Sequence, residues 1–220
     1  MKEPNRERKG EIKYNVSLNE EQKLAKKGIY ERDVTIILGD YGTGKSLTAC
    51  LSALDLFFKK IVDKIFITRP INFEATGYLK GNLIEKLYHH TFPIMQNLYQ
   101  CCNKEKSDKL CQDGFIEVFP IDYMKGITID NAVLIVDEFE DINFSDFELI
   151  ISRLGKDSKL IFTGSEEQID IPNSCIYKIK CLEECNLVNY CTLKELHRNK
   201  DIPEILKFIK EHEIISRRSN

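Results

Sequence analysis

The chain has 220 residues, 42% of them hydrophobic and 30% charged, with a formal net charge of −3. This composition is too apolar for an intrinsically disordered chain, and no run approaches the roughly 18 apolar residues that a membrane span needs. The balanced charge excludes the strongly basic character that marks many nucleic-acid-binding proteins, although a local basic face stays open.

Residues 1–14 alternate in charge without a hydrophobic period, so we expect a flexible amino-terminal tail there and another tail at 216–220. One strong core pattern lies between them and predicts a single domain over 15–215. Its first half is predicted to contain, in order, a helix over Leu18–Lys27 capped by Ser17 or Asn19, a strand over Val34–Leu38, a helix that ends near Phe58, a strand over Lys64–Thr68, and one or two helices over Leu83–Cys102 around Pro93. Its second half is predicted to contain strands over Phe115–Phe119, Ala132–Val136, Lys159–Thr163 and Leu187–Leu193, a helix over Phe147–Leu154, and a closing helix over Ile202–Glu213.

Short strands separated by helical stretches are typical of right-handed crossover units. The strand over Ala132–Val136 is apolar throughout, as expected of a parallel strand that is covered on both faces. The sequence therefore predicts an α/β fold with three layers around a mostly parallel, doubly wound sheet. Its chemistry is expected at the carboxyl ends of the strands.

A glycine-rich segment, Gly39–Ser46, separates the first predicted strand from the next helix and reads GDYGTGKS. It fits the P-loop pattern GxxxxGK[ST] in the strand, loop and helix context that the pattern requires. Backbone N–H groups and the positive end of the helix would hold phosphate oxygens, Lys45 would reach the β and γ phosphates, and the Ser46 hydroxyl would bind Mg²⁺. The residues predicted to bind a nucleoside triphosphate are Gly39, Asp40, Tyr41, Gly42, Thr43, Gly44, Lys45, Ser46 and Leu47.

Two carboxylates, Asp137 and Glu138, follow the apolar strand over Ala132–Val136. Carboxylates at the end of a central strand need a cation, and we expect Asp137 to serve Mg²⁺ with Ser46. Glu138 is predicted to orient or deprotonate the water that attacks the phosphoryl group. Such an acidic pair also occurs as a simple amino-terminal feature of a helix, but the P-loop upstream favours the catalytic interpretation.

The eight cysteines form no paired CxxC knuckles, and the charged amino terminus from Lys2 onward has no apolar segment of a secretory leader. A zinc set of Cys181, Cys185, Cys191 and His197 has irregular gaps that argue against it. Reduced, partly buried thiols in a cytoplasmic protein are the expectation.

Taken in order, these and further motifs resemble the PhoH-like ATPases, which are similar to a single RecA-type motor domain of superfamily 1 helicases. The further motifs are Gln22 in NEEQKLA, Thr68–Pro70 followed by Glu74, Ala75 and Gly77, YMKG at Tyr123–Gly126, SRLG at Ser152–Gly155, and SKLIFTG with EEQID over Ser158–Asp170. The resemblance spans about Ser17–Glu211. It implies a RecA-like P-loop fold, hydrolysis of ATP with Mg²⁺, and RNA or single-stranded DNA as a partner.

The resemblance also implies roles for single residues. Gln22 resembles a glutamine that reads the edge of adenine, and Gln168 resembles one that senses the γ-phosphate. Arg198 resembles a late arginine that contacts phosphate, and Arg153 is a second candidate for that role. Each of the four is also compatible with an ordinary surface position. Superfamily 1 helicases supply late arginines from a second RecA domain, so the resemblance implies a homo-oligomer such as a ring.

The sequence departs from the family pattern at three places. Ser165 follows Gly164 where an aspartate is usual, and Glu140 in DEFED stands where a glutamine is customary. The segment after Arg69-Pro70 is short and lacks a second proline near Gly81. These departures concern coupling to nucleic acid more than nucleotide binding, so helicase-like activity stays open and is not inferred from the resemblance.

A local mixture of cations and rings could contact a single strand by stacking and phosphate contacts, or could be an ordinary surface and core. Its members are Arg69, Tyr78, Lys80, Tyr123, Met124 and Lys125. Three functional hypotheses remain open: an ATPase that acts on RNA or single-stranded DNA, a nucleoside kinase with a similar P-loop, and a nucleotide-gated interaction protein with little turnover.

Overall fold

A six-stranded parallel sheet organises the chain in the computed structural model, which describes residues 14–70, 83–197, 201, 204, 205, 208 and 209, with the backbone alone for 83–90. The strands are β1 (Val34–Gly39), β2 (Lys64–Thr68), β3 (Ile116–Val118), β4 (Ala132–Asp137), β5 (Lys159–Gly164) and β6 (Val188–Leu193). The α-helices are α1 (Glu20–Glu31), α2 (Lys45–Phe58), α3 (Leu83–Cys102), α4 (Lys104–Gln112), α5 (Phe144–Ile151) and α6 (Ile176–Ile179). Short 3₁₀ turns cover Ile121–Met124, Phe139–Asp141 and Lys180–Glu184.

The strand order is β3-β2-β4-β5-β1-β6, and every pairing is parallel. The register brings the last residues of three neighbouring strands to one edge. Leu38 of β1 lies beside Gly164 of β5, and Asp137 of β4 lies beside Thr163 of β5. The P-loop and the acidic segment therefore open on the same edge of the sheet, as parallel topology requires.

Two hydrophobic clusters cover the two faces of the sheet. Alternate strand residues point to opposite faces, so Ile37 belongs to the cluster that includes residues of α1, α2, α3 and α4, whereas Ile36 and Phe162 belong to the cluster that includes residues of α5 and α6. Full burial of a side chain such as Ile37 stabilises the fold by about 1.5–3 kcal/mol. The predicted three-layer α/β fold with a mostly parallel sheet is confirmed.

Capping side chains mark the starts of α1 and α5. The Asn19 side chain accepts the backbone N–H of Gln22, and the Gln22 side chain accepts that of Asn19, so α1 begins at Glu20. The helix predicted over Phe147–Leu154 begins three residues earlier, because the Asn143 side chain accepts the N–H of Asp146 and caps it there.

The helix α4 was not predicted, and Pro93 lies inside the unbroken helix α3. The predicted tails lie outside the described residues, apart from Tyr14. Most of the closing helix predicted over Ile202–Glu213 also lies outside them.

Candidate nucleotide-binding site

The loop between β1 and α2 curls so tightly that a residue with a side chain does not fit at two of its glycine positions. Gly44 has φ 80°, and a Cβ there would meet the side-chain nitrogen of Gln22 at 2.5 Å. A Cβ at Gly39 would overlap the carbonyl oxygen of Leu193 on β6. The loop is thus closely enclosed by α1 and β6, which fixes the amino end of α2 over the edge of the sheet.

Lys45 is the first residue of α2 and folds back over the loop. Its ammonium donates to the carbonyl oxygens of Gly39 at 2.6 Å and Asp40 at 3.0 Å. Burial lowers the pKa of Lys45, while carboxylates oppose that effect, Glu140 and Asp137 foremost. A partly desolvated ammonium next to free N–H groups at a helix amino terminus is suited to binding phosphate.

Three oxygen-bearing side chains converge where α2, β4 and β5 meet. The hydroxyls of Ser46 and Thr163 each donate to Oδ1 of Asp137 at 2.6 Å. Mg²⁺ prefers oxygen ligands and shares its shell among one or two protein groups, phosphate and water, so this donor set fits the ion. Ser46 and Asp137 were predicted for this position from the sequence. Thr163 was not, although its place at the carboxyl end of the predicted strand over Lys159–Thr163 was an available signal.

Glu138 sits at the mouth of this cleft in an unusual backbone conformation. Its φ of 54° is left-handed, which costs a residue with a side chain on the order of 1–2 kcal/mol. Its carboxylate Oε2 accepts from Nε of Arg69 at 2.6 Å and forms an ion pair with the same guanidinium. Strain of this kind concentrates at functional sites, and here it directs the carboxylate over the cleft.

Two buried polar atoms of the cleft residues have no hydrogen-bond partners. They are Oε2 of Glu140 and Nε2 of Gln168, and both residues line the cleft. Burial raises the pKa of Glu140 to about 8, and the charge of Glu138 adds to that effect, while backbone N–H groups of Glu140 and Ser165 oppose it. Two buried polar atoms without partners in one cleft indicate a polar ligand.

The whole cleft encloses about 380 Å³, which falls in the range of small-ligand sites. It is lined by Tyr41, Gly42, Gly44, Lys45, Ser46, Leu47, Pro93, Gln96, Asn97, Gln100, Asp137, Glu138, Glu140, Thr163, Gly164, Gln168 and His197. The α3 residues and His197 were not predicted, because no sequence pattern indicates that the polar face of a helix turns toward a distant loop.

Gln22 is buried at 2% exposure and does not line the cleft. Its Nε2 donates to the carbonyl of Thr43 at 2.9 Å, and its Oε1 accepts from the backbone N–H of Asn19 at 3.1 Å. In this arrangement the amide ties the start of α1 to the P-loop. Its assignment as a reader of adenine stays a prediction.

We expect Gln22→Ala to weaken binding of ATP and GTP alike, by about fivefold to twentyfold, because losing a buried hydrogen bond costs about 1–2 kcal/mol and loosens the P-loop. Calorimetric titration with both nucleotides measures the effect. A loss confined to adenine nucleotides would instead support direct reading of the base. Lys23→Ala, on the exposed side of the same helix, is the matched control.

The two candidate arginines are placed differently. The backbone carbonyl of Arg153 accepts from Ile129, just before β4, so Arg153 lies near the amino ends of the strands and does not line the cleft. Arg198 lies outside the described residues. Its neighbour His197 donates its backbone N–H to the carbonyl of Gly42 at 3.0 Å, which fixes the preceding segment beside the P-loop.

One member of the mixture of cations and rings that was predicted to contact a single strand is wrong. Met124 is fully buried in the core, because the 3₁₀ turn Ile121–Met124 directs it inward, so it cannot stack on a base. Tyr123 is 61% exposed, and Lys125 is exposed beside Asp122. Tyr78 and Lys80 lie outside the described residues.

Within the described ranges, no three or more histidine, cysteine, aspartate or glutamate residues are arranged to hold a metal ion, and the eight cysteines are all unpaired. Among the helices that the structure describes, none has the length and apolar character to cross a membrane.

Three features define the class of P-loop NTPases. The sheet is parallel with strand order β3-β2-β4-β5-β1-β6, a P-loop follows β1, and the acidic end of β4 faces that loop. The model of the PhoH-like protein family matches residues 16–209. The chain therefore belongs to the PhoH-like family.

Similar proteins agree with this placement. The PhoH-like protein of Synechocystis sp. is 36% identical over 168 residues, which are 76% of this chain and 51% of that protein. The PhoH-like protein of Bacillus subtilis is 34% identical over 142 residues, 64% of this chain and 44% of that protein. The chain thus spans about half the length of the curated relatives it matches.

Solved structures show the same fold at low identity. The large terminase from a thermophilic bacteriophage superposes with a TM-score of 0.56 and 13% identity, over 87% of this chain and 50% of that chain. The same terminase in complex with ADP gives a TM-score of 0.50 at 13% identity, over 86% of this chain and 49% of that chain. The likeness supports the RecA-like architecture.

Proposed function

We propose that this chain binds ATP with Mg²⁺ in the cleft and hydrolyses it. The observation that supports this proposal most directly is the 2.6 Å hydrogen bond from the Ser46 hydroxyl to Asp137, which joins the P-loop to the acidic strand end. Proteins that transfer a γ-phosphoryl group use this pairing of a P-loop hydroxyl with a strand-end carboxylate to hold Mg²⁺. Membership of the PhoH-like family and the ADP complex of the terminase support a nucleotide as the ligand.

Five residues of the cleft would have defined tasks. Lys45 would leave the carbonyls of Gly39 and Asp40 and donate to the β and γ phosphates. Ser46 and Asp137 would hold Mg²⁺, directly or through water, and the bound ion would neutralise charge on the phosphates. Glu138 would orient and deprotonate the attacking water, and Gln168 would contact the γ-phosphate with its unpartnered amide.

We further propose that ATP turnover is coupled to RNA or single-stranded DNA. The family resemblance supports this partner, as do the exposed ring of Tyr123 and the cation of Lys125 after β3. Parallel topology brings the segment after β3 to the same edge of the sheet as the cleft. Stacking on the ring and charge neutralisation of phosphates would suit a single strand.

Hydrolysis measured with single-stranded RNA, single-stranded DNA or nucleosides added separately tests the partner. Stimulation by a nucleic acid that weakens with rising salt is the expected result, because phosphate contacts release counterions. Stimulation by a nucleoside with formation of a nucleotide product would favour the kinase alternative. Binding without turnover in every condition would favour a nucleotide-gated interaction protein.

We expect Arg198→Ala to lower ATP turnover at least about tenfold, because a guanidinium that meets charge on the transferred phosphoryl group supplies up to about 10³- to 10⁵-fold in rate. Turnover of mixtures with the unaltered protein is the second readout. More than proportional inhibition would show that the arginine acts on a neighbouring copy in a homo-oligomer such as a ring. An unchanged rate would remove Arg198 from catalysis, and Arg32→Ala at the exposed end of α1 is the control.

A further inference from the structure

The turn after β4 holds a buried acid whose position the proposed hydrolysis does not use. Glu140 is 2% exposed and lines the cleft, and its Oε2 atom has no hydrogen-bond partner. The carboxyl lies directly over Gly164, where an added Cβ would overlap Oε2. Because Gly164 has no side chain, the carboxyl of Glu140 can occupy this space.

The surroundings of Glu140 indicate what it faces. Lys45 approaches from the start of α2, close enough that the ionised form of Glu140 would raise the pKa of Lys45 more than any other carboxylate does. Glu138 and Asp141 lie on its own turn, and Cys175 approaches from the start of α6. The second unpartnered atom, Nε2 of Gln168, lines the same cleft. Glu140 therefore lies near the lysine that is proposed to hold the terminal phosphates.

We propose that Glu140 is a further phosphate-contacting residue, whose carboxyl group carries its proton and donates a hydrogen bond to a terminal phosphoryl oxygen of the bound triphosphate. This inference rests on the proposed nucleotide site and adds a residue and a pH dependence to it. A neutral carboxyl is an acceptable neighbour for a phosphate, whereas an ionised one repels it.

The direction of the pH effect follows from the environment. Burial raises the pKa of Glu140 to about 8, so the carboxyl is neutral at neutral pH and ionises as the pH rises through that value. The donor and its contact with phosphate are present below about pH 8 and lost above it. A bound phosphate is negatively charged and raises the pKa of Glu140 further, so in the complex the carboxyl loses its proton at a higher pH.

The test compares affinity for a triphosphate and a diphosphate at two pH values. Calorimetric titration with a non-hydrolysable β,γ-imido ATP analogue and with ADP, each with Mg²⁺, is performed at pH 6.5 and 9 on three proteins: the unaltered chain, Glu140→Gln and Asp141→Asn. The amide of Glu140→Gln is a permanent neutral donor of nearly the same shape. Asp141 is the control acid on the same turn and does not line the cleft. Its charge contributes to the raised pKa of Glu140, so Asp141→Asn should shift the pH dependence to slightly lower pH without removing it.

The preference for the triphosphate is the ratio of its affinity to that of ADP. In the unaltered chain and in Asp141→Asn, this ratio should fall about fivefold or more between pH 6.5 and pH 9, relative to the change in Glu140→Gln. The reason is that about nine in ten carboxyls of pKa 8 are ionised at pH 9. Glu140→Asp, which withdraws the carboxyl by one methylene, should lose the preference at both pH values. Equal pH dependence in Glu140→Gln would overturn the inference. So would lost hydrolysis in Glu140→Gln with affinities equal to those of the unaltered chain at both pH values, which would make Glu140 the base.

The result separates this inference from the proposed function. A pH-dependent preference without any hydrolysis would overturn the proposed turnover and support the role of Glu140. If the unaltered chain bound neither nucleotide, both proposals would be wrong.

Discussion

Lys45→Ala is expected to raise the dissociation constant for ATP about 100-fold or more. The ammonium makes two short hydrogen bonds to the P-loop backbone in the described structure, and those donors would turn to phosphate in the complex. Each hydrogen bond to a charged group contributes about 1.5–3 kcal/mol, so losing two of them accounts for a change of that size. Calorimetric titration with ATP and Mg²⁺ measures it.

The control for this variant is Lys27→Ala, which removes an exposed lysine on α1 far from the P-loop. Its affinity for ATP should match that of the unaltered chain. Lys45→Ala also leaves the carbonyls of Gly39 and Asp40 without this donor, so the melting temperature is measured beside the affinity to show that the variant is folded. An unchanged affinity in a folded Lys45→Ala protein would show that this loop does not bind the triphosphate.

Glu138→Gln is expected to bind ATP with an affinity close to that of the unaltered chain and to lower turnover by about 10²- to 10⁴-fold. The amide keeps the size of the side chain and can still accept from Arg69, so the mouth of the cleft is preserved. The amide cannot take a proton from water, so only the chemical step is affected. Single-turnover hydrolysis, measured beside equilibrium binding, separates the two effects.

Glu148→Gln, on the exposed side of α5, serves as the control for this variant. Equal turnover in Glu138→Gln and in the control would remove Glu138 from catalysis. In that case the ion pair with Arg69 would be its main role, and the buried acid Glu140 would become the next candidate for the base.

Much of the fold could be predicted from local patterns. The strand Lys64–Thr68 was predicted with its observed ends, because its apolar residues are bounded by Asp63 and Arg69-Pro70. The helix α4 was missed because its sequence is mostly charged and only Leu110 and Ser107 are buried, so no strong apolar period marks it. The start of α5 was misplaced because two residues close together, Asn143 and Ser145, can both cap a helix.

The site was predictable where a motif carries its own chemistry. Ser46 and Asp137 meet across the cleft as the P-loop and the acidic strand end imply. The position of the Glu140 carboxyl over Gly164 depends on the parallel register of β4 and β5, which no local pattern specifies. The hydrogen bond of Gln22 to Thr43 likewise depends on how α1 packs on the loop, so the sequence could mark Gln22 as a candidate but could not indicate this contact.

The most direct test of the central claim is steady-state hydrolysis of ATP with Mg²⁺ by the unaltered chain and by Lys45→Ala, purified in parallel so that a contaminating enzyme would appear in both. We predict turnover by the unaltered chain that disappears in Lys45→Ala and requires Mg²⁺. Equal rates in the two preparations, or no turnover by an unaltered chain that binds ATP tightly, would contradict the assignment of this cleft as an ATPase site.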